Sequence, residues 1–521
     1  MATRKISRRA SSEQPAAATA AKADDMIGMD EAIALLKTTR PTFYRWLRSG
    51  RIKAMKLGRQ WRFYRGDVER FLKGQEPRVD LPVSIAPLID ELASRLAQAR
   101  SGGPVQAAPG GEPAGPGAGT SDDIGRAVNL AILLGVALKA SDFTLESFST
   151  EPGSDIAAML RYRIDGVLQP IATFDLRLLP ALVARLKTLA GCDVSEKRRP
   201  QDGRILVKVE SRQVDLRASF VGAAMSESVT VRILDARTVL LGLDRIDYAE
   251  ADMKRLRTAI AAPWGLNLLV GPTGSGKTTV LYSCLKELAG PGIKTMSVED
   301  PVEYLLPWVT QIPIAEGQGL TFTRAVRSIL RSDPDVIMVG EIRDRETLLL
   351  ALESALTGHL VFSTLHTDEA AAALRRMVDI GADPFVVADA TRVILAQRLV
   401  RKLCPECRHK AAPSADLARR AEQAARSGGL GWETLPADWR EPVGCPKCGQ
   451  TGYRGRTVIA ETIQVTPEVG AALRRGAGVE ELRATAVRQG MTTVAADGVR
   501  RASAGQTSLA EVFRVLGVPT E

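Results

Sequence analysis

A glycine-rich stretch with one lysine and three threonines has the residue types and spacing to hold phosphate. Residues 271–279 read Gly-Pro-Thr-Gly-Ser-Gly-Lys-Thr-Thr; an apolar run precedes them and a helix-compatible segment follows. Glycines let backbone N–H groups converge on phosphate oxygens, and the following helix adds the positive end of its dipole. The pattern predicts a P-loop in which Lys277 contacts the β- and γ-phosphates and Thr278 ligates Mg²⁺. The predicted nucleotide-binding residues of this loop are Gly271, Thr273, Gly274, Ser275, Gly276, Lys277, Thr278 and Thr279.

Two acidic segments downstream could supply the carboxylates of a hydrolytic site. Residues 297–304 read Ser-Val-Glu-Asp-Pro-Val-Glu-Tyr, and an apolar run, residues 336–339, ends shortly before Glu341. An acid after such a strand is the Walker B arrangement, which holds Mg²⁺ through its water shell, and a second carboxylate nearby can orient the attacking water. Two of the three histidines, His359 and His366, bracket a further strand. Core packing is the alternative role for these histidines, but the adjacent P-loop favours a place in the site.

Four of the six cysteines form two Cys-x-x-Cys pairs. Cys404 and Cys407 make the first pair, and Cys445 and Cys448 make the second. Each two-residue turn lets both thiolates reach one tetrahedral ion, so we expect a closed structural zinc site with four sulfur ligands. A redox pair is the alternative, but neither pair follows a thioredoxin-like strand. The residues between the pairs would form a protruding arm.

The net charge of +10 belongs to one end of the chain. Residues 1–74 contain 17 Lys and Arg against 7 Asp and Glu, and the rest of the chain balances at 53 against 53. Residues 1–25 are polar and Ala-rich, which predicts a disordered tail without the apolar core of a secretory signal. The longest apolar run, residues 128–138, is too short to span a bilayer. We therefore expect a cytoplasmic protein whose cysteines are reduced or metal-bound.

Residues 26–74 carry the pattern helix, helix, hairpin, helix. This order resembles the excisionase/MerR-like winged helix-turn-helix, whose second helix enters the major groove while its wing contacts the DNA backbone. The resemblance implies a set of DNA-binding candidates on the second helix and the wing: Thr42, Tyr44, Arg45, Arg48, Lys53, Lys56, Arg59 and Arg62. The alternative is a basic domain that docks onto a protein partner.

A linker and a mixed domain are predicted to follow. Residues 75–120 include a possible helix, residues 83–99, and end in a Gly-, Pro- and Ala-rich segment that cannot bury a core. Residues 121–240 alternate helices and strands, which predicts an α+β domain. Arg217 and Arg232 stand at strand positions from which they could reach a neighbouring site, although most such arginines simply face solvent.

The motifs taken together resemble the secretion ATPase superfamily, specifically the type II secretion ATPases, similar to general secretion pathway protein E, and the type IV pilus assembly ATPases. The resemblance covers roughly residues 121–518, including Ala-Ser-Asp at 140–142 and Glu-Lys-Arg-Arg-Pro-Gln-Asp-Gly at 196–203. It implies a multidomain α/β fold in which the α+β domain is PAS-like. The later parts are a RecA-like P-loop ATPase domain (241–400), a four-cysteine zinc arm (401–456) and a C-terminal helical region (457–521). The family's usual loop at residues 221–228 is replaced here.

The resemblance also implies a role for each candidate. Glu303 would be the general base, Glu341 the Walker B acid on Mg²⁺, and His359 and His366 sensors near the γ-phosphate. The remaining implied site residues are the arginine fingers Arg217 and Arg232 and the basic pair Arg327 and Arg331 at the nucleotide.

The predicted function is that of a homo-hexameric ATPase using ATP and Mg²⁺, with zinc in its arm. It would lie on the cytoplasmic face of the inner membrane and drive type II pseudopilus or type IV pilus assembly through a membrane platform protein and a cytoplasmic recruiting partner. The alternative is a regulatory ATPase that binds DNA through its helix-turn-helix.

Overall fold

The computed structural model describes residues 26–48, 52, 54–57, 60–72, 81, 83–101, 121–149, 156–209, 212–235 and 241–517. The predicted tail, residues 1–25, and most of the Gly- and Pro-rich part of the predicted linker lie outside these residues. Across the described ranges, no helix combines the length and the apolar character needed to cross a membrane.

The first domain is small and built around two phenylalanines. Its elements are β1 (Met26–Gly28), α1 (Met29–Leu35), α2 (Arg40–Arg48), β2 (Met55–Leu57), β3 (Gln60–Tyr64) and α3 (Arg65–Leu72). β3 pairs antiparallel with both other strands. Phe43 and Phe63 are buried, with ring centroids 5.1 Å apart in an edge-to-face arrangement. The helices and hairpin are as predicted, and β1 is an additional strand that the sequence analysis missed.

The second domain is an antiparallel sheet covered by helices. Its elements are α4 (Ala86–Arg100), α5 (Ser121–Ala137), β4 (Asp142–Phe148), β5 (Ala157–Ile164), β6 (Val167–Asp175), α6 (Leu179–Ala190), β7 (Gln201–Val209), β8 (Arg212–Gly222) and β9 (Glu227–Leu234). The strand order is β6-β5-β4-β9-β8-β7. Alternate residues of β5 are buried, so one face of that strand packs on the helices.

The predicted boundary of this domain is wrong. Leu88 and Leu92 of α4 are buried in the same core as Val128 of α5 and Leu160 of β5, and Leu81 and Val83 join that core too. The predicted linker, residues 75–120, therefore contains a structural helix of the α+β domain. Sequence reasoning missed this because a single amphipathic helix beside a Gly-rich segment gives no sign of its packing partner.

The third domain is a seven-stranded sheet with helices on both faces. Its elements up to the cysteines are α7 (Glu250–Ile260), β10 (Gly265–Val270), α8 (Lys277–Leu288), β11 (Thr295–Glu299), β12 (Val309–Pro313), α9 (Phe322–Leu330), β13 (Val336–Val339), α10 (Arg345–Leu356), β14 (Leu360–Leu365), α11 (Ala370–Asp379), α12 (Pro384–Ala390) and β15 (Thr391–Leu403). β10, β11, β13 and β14 are buried along their whole length, as expected for parallel strands covered on both sides.

The order of these strands brings the chemical motifs to one edge. The sheet runs β12-β11-β13-β14-β10-β15-β18, and its pairs are parallel except for the last, in which β18 (Tyr453–Gln464) lies antiparallel to β15. The P-loop follows β10, Glu341 follows β13, and His366 follows β14. Carboxyl ends of parallel strands share an edge, so these groups meet there.

The chain beyond residue 400 differs from the prediction in two ways. Residues 453–464 form the edge strand β18, so the region predicted as helical begins with part of the central sheet. The predicted protruding arm also folds back, because Ala421 and Ala425 of its helix pack against Val499. The arm and C-terminal elements are β16 (His409–Lys410), α13 (Ala415–Ser427), β17 (Arg440–Glu441), α14 (Pro467–Arg474), α15 (Val479–Arg488), α16 (Val494–Ser503) and α17 (Leu509–Leu516).

Candidate nucleotide-binding and hydrolysis site

The loop between β10 and α8 has the backbone geometry of a phosphate cradle. Gly271 and Gly276 adopt φ angles of 143° and 92°, which L side chains rarely adopt. A Cβ at Gly271 would also lie 2.6 Å from the carbonyl oxygen of Gln397 on β15. Because α8 begins at Lys277, its first N–H groups stand at the end of the loop. Backbone donors can therefore surround an anion at this position.

The ammonium group of Lys277 lies on the same loop. Its Nζ donates to the carbonyl oxygens of Gly271 at 2.6 Å and Pro272 at 3.0 Å. Burial lowers the pKa of Lys277, and the negative charge of Glu341 opposes that shift. Thr278 is exposed in the first turn of α8, where its hydroxyl is accessible. The charge of Glu341, the predicted Walker B acid, thus acts on the lysine of this loop.

Glu341 is the centre of a charged cluster at this edge. His366 Nε2 lies 3.2 Å from Glu341 Oε2, and Arg343 forms an ion pair with the same carboxylate. Arg343 also lies 3.7 Å from Asp300 at the end of β11. Burial acts to raise the pKa of Glu341, but hydrogen bonds from Arg343 and His366 outweigh it and lower the pKa. Glu341 is therefore held as a carboxylate beside the P-loop lysine.

Glu303 is held by groups from two domains. Arg217 Nη2 of the α+β domain lies 3.1 Å from Glu303 Oε2 and donates a hydrogen bond to the carbonyl of Val302 at 3.0 Å. Burial raises the pKa of Glu303, while the charges of Arg217 and Arg232 act in the opposite direction. Arg232 on β9 stands directly opposite Arg217 on β8. The α+β domain thus brings both predicted arginine fingers to the predicted general base within one chain.

The structure separates the two histidines. His359 precedes β14, and its Nδ1 lies 2.9 Å from the carbonyl oxygen of Ser354 at the end of α10. His366 follows the same strand, so the six residues of β14 place the two side chains about 20 Å apart. The P-loop lies at the sheet edge where β10 and β14 end, which is also where His366 lies. His359 lies at the opposite edge, where β14 begins, so the prediction that it lies near the γ-phosphate is wrong.

The basic pair on α9 is engaged away from the loop. Arg327 forms an ion pair with Glu346 at 2.6 Å. Arg331 donates from Nη1 to the carbonyl oxygen of Arg327 at 2.9 Å. Among the described residues, the structure gives neither arginine a contact with the P-loop, so their predicted place at the nucleotide stays a prediction.

The four predicted metal ligands converge at the base of the arm. The sulfur atoms of Cys404, Cys407, Cys445 and Cys448 all lie within 4.8 Å of one another. Backbone N–H groups of Cys445 and Gly452 donate to Cys448 Sγ at 3.2 Å each. Burial acts to raise the pKa of Cys448, but these N–H groups and the neighbouring thiols lower it to about 7. Four sulfurs at this spacing fit a tetrahedral zinc ion.

Comparisons with known families agree with this geometry. Residues 122–514 match the family described as Type II/IV secretion system protein. The chain belongs to this family. Residues 27–76 match a second family, described as Helix-turn-helix domain. The resemblance to type II secretion and type IV pilus assembly ATPases and the N-terminal helix-turn-helix are both confirmed.

Individual members of this secretion family are similar over long stretches. Type II secretion system protein HxcR of Pseudomonas aeruginosa is 40% identical over 390 residues, which cover 75% of this chain and 76% of that protein. Type IV pilus assembly ATPase PilB of Thermus thermophilus is 40% identical over 354 residues, 68% of this chain and 39% of that protein. The crystal structure of the Legionella pneumophila ATPase DotB matches with a TM-score of 0.54 at 22% identity, over 75% of this chain and 95% of DotB. The last likeness confirms the predicted multidomain α/β fold with its RecA-like core.

Sequence reasoning missed two residues that hold the site of this secretion family member together. Gln397 on β15 is buried, and its amide donates to the carbonyl of Ser275 in the P-loop at 2.7 Å. Its side-chain oxygen accepts a hydrogen bond from the hydroxyl of Tyr248. Tyr282 on α8 is the second, since its hydroxyl accepts the backbone N–H of Glu303 at 3.2 Å. A lone glutamine within an apolar strand was the available signal for Gln397, whereas Tyr282 looks like any core residue of a helix.

The helix-turn-helix presents part of its predicted DNA-binding set. On α2, Phe43 is buried while Tyr44 and Arg45 are exposed. Thr42 accepts a hydrogen bond from Thr39 at 3.0 Å, and Arg62 on β3 donates to Gln60 at 3.1 Å. The remaining candidates, namely Arg59, Lys53 and the side chains of Arg48 and Lys56, lie outside the described residues.

Proposed function

We propose that ATP hydrolysis by this chain powers the assembly of a type II secretion pseudopilus or a type IV pilus. As a member of the secretion ATPase family, the chain is an ATP hydrolase. One observation carries the site assignment: Arg217 reaches Glu303 from a second domain, at the sheet edge that also holds the P-loop, Glu341 and His366.

The residues at this sheet edge have different roles in the transfer of the γ-phosphoryl group to water. Backbone donors of the P-loop and Lys277 hold the phosphates and keep the γ-phosphorus in place for attack. Thr278 and Glu341 would hold Mg²⁺, which, when bound, neutralises negative charge on the phosphates. His366 fixes the orientation of the Glu341 carboxylate.

Glu303 takes the proton of the attacking water. Its raised pKa is consistent with this role, because a general base works best when its pKa approaches the working pH. Arg217 and Arg232 then face the negative charge that develops on the transferred phosphoryl group. Such guanidinium groups typically contribute about 10³-fold or more to the rate.

The remaining assignments concern assembly. We propose a homo-hexamer with Mg-ATP sites at the junction of the two domains and one zinc ion in each arm. The hexamer would bind the cytoplasmic side of an inner-membrane platform protein with the help of a recruiting partner. Closure of the α+β domain on the ATPase domain would convert hydrolysis into movement of the platform.

Two single variants of the purified full chain test the hydrolysis site. Lys277→Ala should abolish ATP turnover while retaining bound zinc, because the thiol cluster lies outside the P-loop. Glu303→Gln should bind ATP with unchanged affinity but lose about 10²- to 10⁴-fold in kcat. Wild-type turnover by Lys277→Ala would refute the P-loop assignment, and wild-type turnover by Glu303→Gln would refute the general base.

A second candidate function is DNA binding by the N-terminal domain. The match to a helix-turn-helix family and the exposed Tyr44 and Arg45 on α2 favour it. Phosphate contacts predict that duplex affinity of the full chain falls steeply between about 50 and 200 mM salt and weakens in Arg45→Ala. Absence of duplex binding at low salt would instead favour a domain that docks a protein.

A further inference from the structure

Tyr282 links the helix that follows the P-loop to the segment that carries the general base. It lies on α8, five residues after Lys277, and its side chain is fully buried. Its hydroxyl donates a hydrogen bond to Glu299 Oε2 and accepts the backbone N–H of Glu303 at 3.2 Å. One hydroxyl therefore spans from the phosphate-binding helix to the end of β11 and to Glu303.

Glu299, which accepts the hydrogen bond from the Tyr282 hydroxyl, is itself held in place by other hydrogen bonds. Glu299 is buried, and its Oε1 accepts hydrogen bonds from Ser297 Oγ at 2.7 Å and from Gln311 Nε2 at 2.9 Å. Because the tyrosine proton is directed at Glu299 Oε2, a lone pair of the hydroxyl oxygen remains for the N–H of Glu303. The network thus sets the direction of the hydroxyl as well as its position.

Packing alone does not account for this arrangement. Phenylalanine would fill the same apolar space on α8, and a hydroxyl buried without partners costs free energy. Here the Tyr282 hydroxyl acts both as a donor, to Glu299, and as an acceptor, from the backbone N–H of Glu303. A displacement of about 1 Å at a catalytic group can reduce a rate by about 10²-fold.

We propose that Tyr282 is a positioning residue for hydrolysis, which holds Glu303 at a fixed distance from the phosphate-binding end of α8. This inference rests on the proposed role of Glu303 as the general base. Tyr282 does not touch the reacting atoms and acts through the backbone of Glu303. It would affect turnover and leave nucleotide affinity unchanged.

Tyr304 offers a matched control. It follows Glu303 directly and is also a tyrosine, half-buried where Tyr282 is fully buried, but its buried hydroxyl has no hydrogen-bond partner among the described residues. Tyr304→Phe therefore removes a buried tyrosine hydroxyl from the segment that carries Glu303 without breaking a hydrogen bond to α8. Any effect of Tyr282→Phe that Tyr304→Phe reproduces is not due to the proposed link.

The experiment compares Tyr282→Phe, Tyr304→Phe, Glu303→Gln and the double variant Tyr282→Phe/Glu303→Gln in the full chain. Single-turnover hydrolysis, equilibrium binding of ATP and thermal unfolding are measured for each. Tyr282→Phe should lose about 10²-fold in rate with less than about twofold change in ATP affinity. Adding Tyr282→Phe to Glu303→Gln should cause no further loss, because residues that act as a unit are not additive.

Hydrogen–deuterium exchange without nucleotide gives a readout independent of activity. The peptide that contains Glu303 should exchange faster in Tyr282→Phe than in the wild type, and Tyr304→Phe should leave it unchanged. Unchanged exchange in Tyr282→Phe would overturn the inference.

The kinetic outcomes separate this inference from the proposed function. Wild-type turnover by Tyr282→Phe beside an impaired Glu303→Gln would overturn the role of Tyr282 alone. A full additional loss in the double variant, or a parallel loss of ATP affinity and thermal stability, would make Tyr282 merely structural. Wild-type turnover by Glu303→Gln would overturn the general base and, with it, this inference.

Discussion

The side-chain amide of Gln397 donates a hydrogen bond to the carbonyl oxygen of Ser275 at 2.7 Å, so the strand next to β10 holds the P-loop. Gln397→Leu would keep the volume but leave the Ser275 carbonyl without this donor, which costs about 1–3 kcal/mol when such a group is buried. We expect roughly tenfold weaker ATP binding, equivalent to about 1.4 kcal/mol. Equilibrium titration measures it, with Gln464→Leu at the exposed end of β18 as control. Equal affinity of the Gln397 variant and the wild type would contradict the anchoring role.

The ion pair between Arg217 and Glu303 predicts a shift in pH dependence. A general base must be ionised, so kcat/KM falls as the pH drops through the pKa of Glu303. The Arg217 charge lowers that pKa; hence Arg217→Gln should raise it and move the acidic limb to higher pH. The rate should fall as well, because a guanidinium group is lost.

The matched control for this shift is Arg257→Gln on α7, since Arg257 pairs with Asp244 and Glu287 on the surface. Its pH profile should match that of the wild type. An acidic limb that stays in place or moves to lower pH in Arg217→Gln would count against the contact.

The four-cysteine cluster predicts one zinc ion per chain. Cys445→Ser removes one of four ligands from a closed site, so bound zinc should fall to a small fraction of one equivalent and the thermal midpoint should drop. Elemental analysis of the purified protein measures the metal. Cys192→Ser is the control, because this thiol lies in the α+β domain away from the cluster. Full zinc content in Cys445→Ser would exclude the assigned ligand set.

The buried carboxylate of Glu461 joins two helix starts. Its Oε1 accepts the N–H of Ala370 at 2.7 Å and its Oε2 accepts that of Val494 at 3.0 Å. Glu461→Gln replaces one carboxylate oxygen, an acceptor, by an amide NH₂ group, a donor. One of the two backbone N–H groups then has no acceptor, which should lower the free energy of unfolding by about 1–3 kcal/mol. Denaturant unfolding compares it with Glu480→Gln, an exposed acid of α15. Equal midpoints for the two variants would show that the bridge contributes nothing.

Local patterns identified the P-loop, Glu341 and the cysteines because their chemistry requires fixed residue types at short spacing. By contrast, the positions of the two histidines relative to the P-loop depend on the direction of β14. His359 and His366 are close in sequence, yet an extended strand separates them by its whole length. The edge strand β18 was missed because its pairing with β15 spans the intervening cysteine segment.

Long-range packing explains the other differences. α4 belongs to the α+β domain through contacts with α5, which lie beyond the Gly-rich segment and leave no trace in the local pattern. Tyr282 and Gln397 act through single hydrogen bonds to backbone groups, so their residue types alone do not reveal them. The sequence predicted which residues carry the chemistry better than it predicted which residues support them.

The cysteine cluster joins the two ends of the arm. These ends connect to β15 and β18, which are neighbouring strands of the central sheet. One of these strands, β15, carries Gln397 and thus the support of the P-loop. The arm is therefore attached directly to the strand whose Gln397 side chain supports the phosphate cradle.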